Sequence, residues 1–414
     1  NKFIVDTGPH ILHTDDDEIW SLWKRFLKNN LSEKNFFSGN FKTIDNKTYI
    51  YDYPLNIEQI SKSPAWNIKE KNSFLKKLTE SNRLKNLGEA TSFREYMRGL
   101  VGTQLEETFF RYYPEKVWGI STENMLPDWA PKRIRICKNR EPFYKGEIAG
   151  LAEAGTGELM ENILKNSCDR YSKILKNSRV IGLKTNQNKI IEIEYLNKEK
   201  RHNIKVGAND LVINTLPVTL ISKMLGKNFD ITFRGILSIY SEIETKNKEK
   251  ILPKDFNWLY FGDKKTSFNR ITEPTSMSKK LDLTKENRKY LISETCLDYE
   301  SSNSVINKKV TDVMSDISRL PFIKEEILNT TYNWEKFVYP IQTLDNKIKL
   351  KNAQSWISQK ATNLESLGTS ADFAYNDIQV IFKKAKELSL DIKNSNKFNL
   401  SKVHFNKIVN NENE

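Results

Sequence analysis

The sequence predicts a mixed α/β (α+β) fold of two sheets with flanking helices, and three observations predict it. Apolar residues recur at the helical period in two segments, 14–27 and 92–100, each opened by a capping residue. The stretch 178–217 switches to a period of two and breaks at "TNQN" and "NKEK", which reads as a strand meander. Further short apolar runs at 236–243, 258–261, 290–294 and 337–341 require a second sheet.

Each element has a local reason. Thr14 is placed to cap a helix whose first turn holds Asp15, Asp16, Asp17 and Glu18, where the helix dipole favours negative charge. Ile19, Leu22, Trp23, Phe26 and Leu27 then form one apolar stripe. Ser92 opens a second helix with Glu95 three residues on, a capping box, and Phe93, Tyr96, Met97 and Leu100 as its buried face. Leu211 to Ile213 is wholly apolar and ends near Pro217, as for a strand buried on both faces. Near the end, Leu364–Leu367 reads as a strand, Gly368–Asp372 as a tight turn and Asp377–Leu388 as a helix. The segment 391–414 reads as a polar, frayed tail.

Composition bounds the function. A chain of 414 residues, 38% hydrophobic and 11% aromatic, buries a sizeable core and is long enough for two domains. Its 66 Lys plus Arg exceed 53 Asp plus Glu, giving +13, but the excess is lysine scattered among asparagine. That is a solvated surface, and with no zinc finger, recognition helix or RNP-like strand beside it no nucleic-acid partner is expected. The longest nearly charge-free apolar run, 211–221, contains Pro217 and is too short to span a bilayer. Cys137, Cys168 and Cys296 are far apart and outside metal spacing, which fits a reducing cytoplasm.

Two motifs could carry chemistry. "GPHILHT" places His10 and His13 near the start, but HxxH without a third ligand is a poor metal signal, so no metal is expected. Gly8 there allows close backbone approach. "GLAEAGTGEL", 150–159, is glycine-rich but lacks the lysine and serine of a P-loop, and locally it is only a glycine-led entry to a helix.

The segment "GPHILHT" is similar to the glycine-proline-histidine segment of UDP-galactopyranose mutases, and "EKVWGISTENMLPDWAPKRI" resembles their oxidase-like bacterial relatives. "GLAEAGTGELMENIL", "DLVINTLP", "FNRITEP" and "SLGTSADFAYNDIQVI" agree in the same order, so the six segments cover most of residues 1–390. They identify a resemblance to the flavin-dependent amine oxidase superfamily, in the branch of the mutases and protoporphyrinogen-oxidase-like proteins. Such proteins begin with a GxGxxG turn and an acidic residue about 20 positions later, and neither precedes Phe3. A chain lacking its first few tens of residues is the expectation.

The resemblance implies a discontinuous Rossmann-like FAD-binding domain (1–20, 141–225 and 355–390) and an inserted substrate domain of sheet plus helices (21–140 and 226–354). It implies that Gly8, Pro9, His10, Gly155, Thr156, Gly157, Gly368, Asn376 and Asp377 bind the cofactor. His10 and Arg270 would be catalytic, and Arg270, Tyr339 and Tyr375 would hold substrate, Arg270 gripping a diphosphate. Trp118 and Trp129 are expected in the core. Two positions depart from the family: Thr369 stands where an arginine follows the glycine, and Phe373 stands for a tyrosine. The expected reaction is FAD-dependent oxidation of a small organic substrate, such as a sugar nucleotide or polysaccharide precursor, by hydride transfer to the flavin. The alternatives are isomerisation of a UDP-sugar with reduced FAD as nucleophile, and a degenerate flavoprotein acting as a binding module. A homo-oligomer is compatible with all three.

Overall fold

A computed structural model describes residues 6–81, 89–130, 134–169, 171–245, 250–278, 280 and 287–394. Residues 1–5 of the opening segment, 131–133 of "DWAPKRI" and 395–414 of the tail lie outside the described residues. The chain divides into two compact units, Asn1–Glu158 with Phe233–Leu344, and Leu159–Thr232 with Asp345–Glu414. No helix among the described residues is long and apolar enough to cross a membrane.

The first unit is organised by a seven-stranded mixed sheet. Its strands lie in the order Ile327–Pro340, Phe233–Glu244, Arg288–Asp298, Arg270–Thr272, Trp258–Phe261, Ser38–Ile44 and Lys47–Tyr53. Only the pairing of Trp258–Phe261 with Ser38–Ile44 is parallel. Alternation assigns the two faces. Leu237, Ile239 and Ile243, with Leu259, Ile271 and Leu291, join a core completed by Ile306, Val313 and Ile317 of the helix Asn303–Ile317. Each of these three helix residues contributes about 1.5–3 kcal/mol by leaving water.

The opposite face carries Ser238, Glu294, Arg270, Tyr260 and Asn40. These five residues are register partners in one row across adjacent strands. Helices Ile68–Ser81, Phe93–Val101 and Tyr112–Trp118 add an aromatic-rich cluster that includes Tyr51, Ile236 and Cys296 of the sheet. A small antiparallel sheet of Leu12–Thr14, Ile148–Ala152 and Leu31–Glu33 completes the unit.

The helix Asp17–Leu27 is capped two residues later than expected. Asp16 Oδ1 accepts from the amides of Glu18 (3.0 Å) and Ile19 (3.2 Å), while Thr14 ends a strand and its hydroxyl accepts from Asp16 N at 3.0 Å. At Ser92 the cap forms as expected: its hydroxyl accepts from Glu95 N at 3.2 Å, and the Glu95 carboxylate accepts from Thr91 N at 2.8 Å.

In the second unit the meander forms as Ser178–Asn186, Lys189–Asn197 and Lys200–Lys205, joined by two-residue turns with left-handed Gln187–Asn188 and Lys198–Glu199. Val212–Asn214 pairs in parallel with Leu364–Ser366. The expectation of a strand buried on both faces is corrected here: Ile213 is 48% exposed, because among the described residues this is a two-stranded pair with one face uncovered. The expected tight turn at Gly368–Asp372 is a short helical turn, Thr369–Asp372, and the last helix runs Ile378–Asn394.

Candidate functional site

The site grows from the polar row. Arg270 and Glu294 face each other on adjacent antiparallel strands. The guanidinium donates through Nε to Glu294 Oε2 at 2.6 Å and through Nη2 to Oε1 at 2.7 Å, a bidentate fork. Glu294 is 3% and Arg270 20% exposed. Burial works against the arginine's charge, but the Glu294 carboxylate outweighs it and holds the guanidinium's pKa well above its ordinary value. Nη1 has no protein partner among the described residues. Tyr260 follows in the row and meets Tyr113 and Tyr53 edge-on, with ring centres 5.0 and 5.3 Å away. Tyr240 is pushed up to about 12 by burial and then by Glu294, and burial, reinforced by Asp6, raises Tyr290 as well.

The chain's opening lies over this row. Ser238 Oγ donates to the Thr7 carbonyl at 2.8 Å. A Cβ on Gly8 would sit 2.9 Å from Glu294 Oε1 and 3.5 Å from Arg270 Nη2, so only glycine lets the backbone cross there. His10 N then donates to the Gly8 carbonyl at 3.0 Å, closing a tight turn.

That turn delivers His10 to a helix start. Gly155, at φ +86°, bends the chain out of Ile148–Ala152 into the helix Thr156–Ser167. Asp6 Oδ2 accepts from Thr156 N at 3.1 Å, where the helix dipole favours a carboxylate. His10 Nδ1 lies 3.4 Å from Thr156 Oγ1 and 4.0 Å from Asp6 Oδ2, with the side chain 48% exposed. His13 is different: it is buried, bonded to Glu147 Oε2 at 2.5 Å and stacked on Tyr144 at 4.1 Å.

The structure therefore brings together Gly8, Pro9, His10, Gly155, Thr156, Gly157 and Arg270. Tyr339 is set apart. Its register partner is Arg234, four residues or about 13 Å along the strand from Ser238, and it packs 6.2 Å from the buried Trp118 ring. Trp129 stacks on Phe93 at 4.8 Å, so both tryptophans are in the core as expected.

The remaining residues belong to the second unit. Gly368, at φ +119°, caps the short helix Thr369–Asp372, and Asn376 and Asp377 lead into Ile378–Asn394. The Asp377 carbonyl accepts from Val380 N (3.1 Å) and Ile381 N (3.3 Å), and Tyr375 is 36% exposed. Neither Gly157 nor Gly368 has a heavy atom within 4 Å of where a Cβ would stand, and the buried Nδ2 of Asn376 has no hydrogen-bond partner among the described residues. Within the second unit, the open Gly368 beside a helix start and the orphaned Asn376 donor fit a planar, electron-rich group held against amides.

No protein-family model matches the chain. A dTDP-fucopyranose mutase of Escherichia coli is 22% identical over 401 residues, covering 94% of this chain and 85% of that protein. The crystal structure of reduced UDP-galactopyranose mutase superposes with a TM-score of 0.75 at 15% identity, covering 99% of this chain and 87% of that one. The fold is that of the flavin-dependent mutases and oxidases. A protein of Exiguobacterium sp. 255-15, provisionally described as a protoporphyrinogen oxidase, follows with a TM-score of 0.67 at 13% identity over 94% of this chain and 88% of its own. These relatives occupy the superfamily branch that the six sequence segments resemble.

Sequence reasoning missed Asp6, Ser238, Tyr240, Tyr260 and Glu294. The available signal was Glu294 itself, an isolated acid inside the apolar run "YLISETCL". A lone carboxylate in a central strand demands a buried cation, and register supplies Arg270.

Proposed function

We propose that this chain is a flavin-dependent sugar-nucleotide mutase, with FAD as the flavin. The observation that carries the reading is the whole-length likeness, in sequence and in fold, to two sugar-nucleotide mutases. It reverses the order expected from the sequence, where substrate oxidation stood first.

When bound, the reduced flavin supplies the nucleophile for rearrangement of the sugar ring. In the first unit Gly155, Thr156 and Gly157 are the residues that would hold it, and the resemblance assigns the same role to Gly368, Asn376 and Asp377 of the second unit. Glu294 fixes the orientation of the planar Arg270 guanidinium through the bidentate fork, and the remaining Nη1 edge binds a phosphate oxygen of the substrate. Tyr260 lends an aromatic flank beside that edge. The Thr7–Gly8 backbone covers the ion pair and excludes water from it. His10, held through Nδ1 by Thr156 and Asp6, exchanges a proton with the sugar at Nε2.

Oxidation of an organic substrate is the second reading. It is favoured by the oxidase-like neighbour and by Thr369, which leaves out the cation expected beside the flavin. An anaerobic assay with FAD and UDP-galactopyranose or dTDP-fucopyranose separates the two. The mutase reading expects pyranose–furanose interconversion only with pre-reduced flavin and no net redox. Stoichiometric flavin bleaching by the substrate would replace it with the oxidase reading.

A further inference from the structure

The second unit holds a groove that no part of the proposed chemistry uses. It measures about 510 Å³, within the roughly 300–1,000 Å³ range of small-molecule sites. One wall is the helix Leu344–Lys360, where Asn352, Ser355, Trp356 and Gln359 recur at the spacing of a single face. The other is the turn from Lys227 to Asp230, which follows Gly226 at φ +102° and ends in a left-handed Asp230 at φ +49°.

We infer that this groove binds a neutral oligosaccharide. Phe229 meets Trp356 at a steep angle with ring centres 5.8 Å apart, so the two rings do not stack face to face, and Trp356 is half-buried in the groove wall. An aromatic face is electron-rich and attracts the slightly positive C–H bonds on the flat side of a pyranose. Around it stand amides, a carboxylate and a hydroxyl, the mixed donors and acceptors that vicinal sugar hydroxyls require. They are already ordered: Asn228 Nδ2 donates to Asp230 Oδ1 at 2.7 Å and Gln359 Nε2 to Ser355 Oγ at 3.3 Å. Charge argues against an anionic ligand. Lys227, the single cation of the lining, lies over the Phe229 ring at 4.8 Å, and Asp230 offsets it. All of the lining is half-buried or exposed, so a chain of sugars longer than the groove has room to extend beyond it.

Saturation-transfer NMR on the full chain tests this with cellotriose, maltotriose and xylotriose, and with inorganic pyrophosphate as the anionic control. At least one trisaccharide is expected to bind saturably with Kd of about 0.1–10 mM. Trp356→Ala and, on an exposed position that folding tolerates, Gln359→Ala should each weaken it about tenfold or more. Failure of all three sugars to bind, equal binding by wild type and both variants, or pyrophosphate binding abolished by the same substitutions would each overturn the assignment. Neither flavin nor turnover enters the readout, so the result is independent of the mutase reading.

Discussion

Gly8 and His10 sit two residues apart and do opposite work. Gly8 is held against a carboxylate that is itself fixed by two hydrogen bonds, so the space cannot widen by a side-chain swing. Gly8→Ala is expected to cost about 1–3 kcal/mol by overpacking, read as a lower melting temperature; an unchanged melt would refute the close contact. The sequence indicated that something approaches Gly8 closely, but the partner comes from strand register nearly 290 residues away and had no local signature. His10 is half in solvent, so His10→Ala should leave stability within about 0.5 kcal/mol while slowing turnover. Wild-type turnover by that variant would remove His10 from the chemistry.

Between strands and helices, the buried Lys42 and the half-buried Lys116 clip the segment that joins the strands bearing Tyr260 and Arg270. Lys42 Nζ donates to the Gly262 carbonyl at 2.6 Å, and Lys116 Nζ donates to the carbonyls of Phe261 and Phe268, each at 2.8 Å, and to Thr266 Oγ1 at 2.9 Å. Burial lowers Lys42 to about 7 and Lys116 to about 8. The unfolded chain, with lysines near 10.5, therefore binds more protons than the folded one between pH 7 and 10.5, and stability rises with pH across that window. In urea melts, wild type should gain about 2 kcal/mol on Lys42→Met between pH 7 and 9; a constant gap would contradict the buried, titrating amine. Elements with strong local chemistry were legible, as at Ser92 and in the 178–205 meander. Ile327–Pro340 was seen only at its end, because it is an edge strand with a single neighbour and a half-exposed, polar first half that blurs its alternation. Ile213 misled for the converse reason: an apolar strand residue does not guarantee a covering layer.

For the molecule as a whole, the fold was legible because its signals are spread along the chain in a fixed order, and each survives on local residue type. The candidate site was legible only in part. His10, Gly155 and Arg270 carry the resemblance, while Asp6, Ser238 and Glu294 acquire their roles only when the chain's start is laid across one row of the sheet. The central claim is that the Arg270–Glu294 pair beneath the Gly8 turn receives the diphosphate of a nucleotide-linked sugar. Calorimetric titration with UDP and dTDP measures it most directly, using Arg270→Ala and the double variant Arg270→Ala/Glu294→Ala, which leaves no buried carboxylate without a partner. The prediction is nucleotide binding by wild type that falls about tenfold or more in both variants; wild-type affinity in a folded variant, or no binding by wild type, would contradict it.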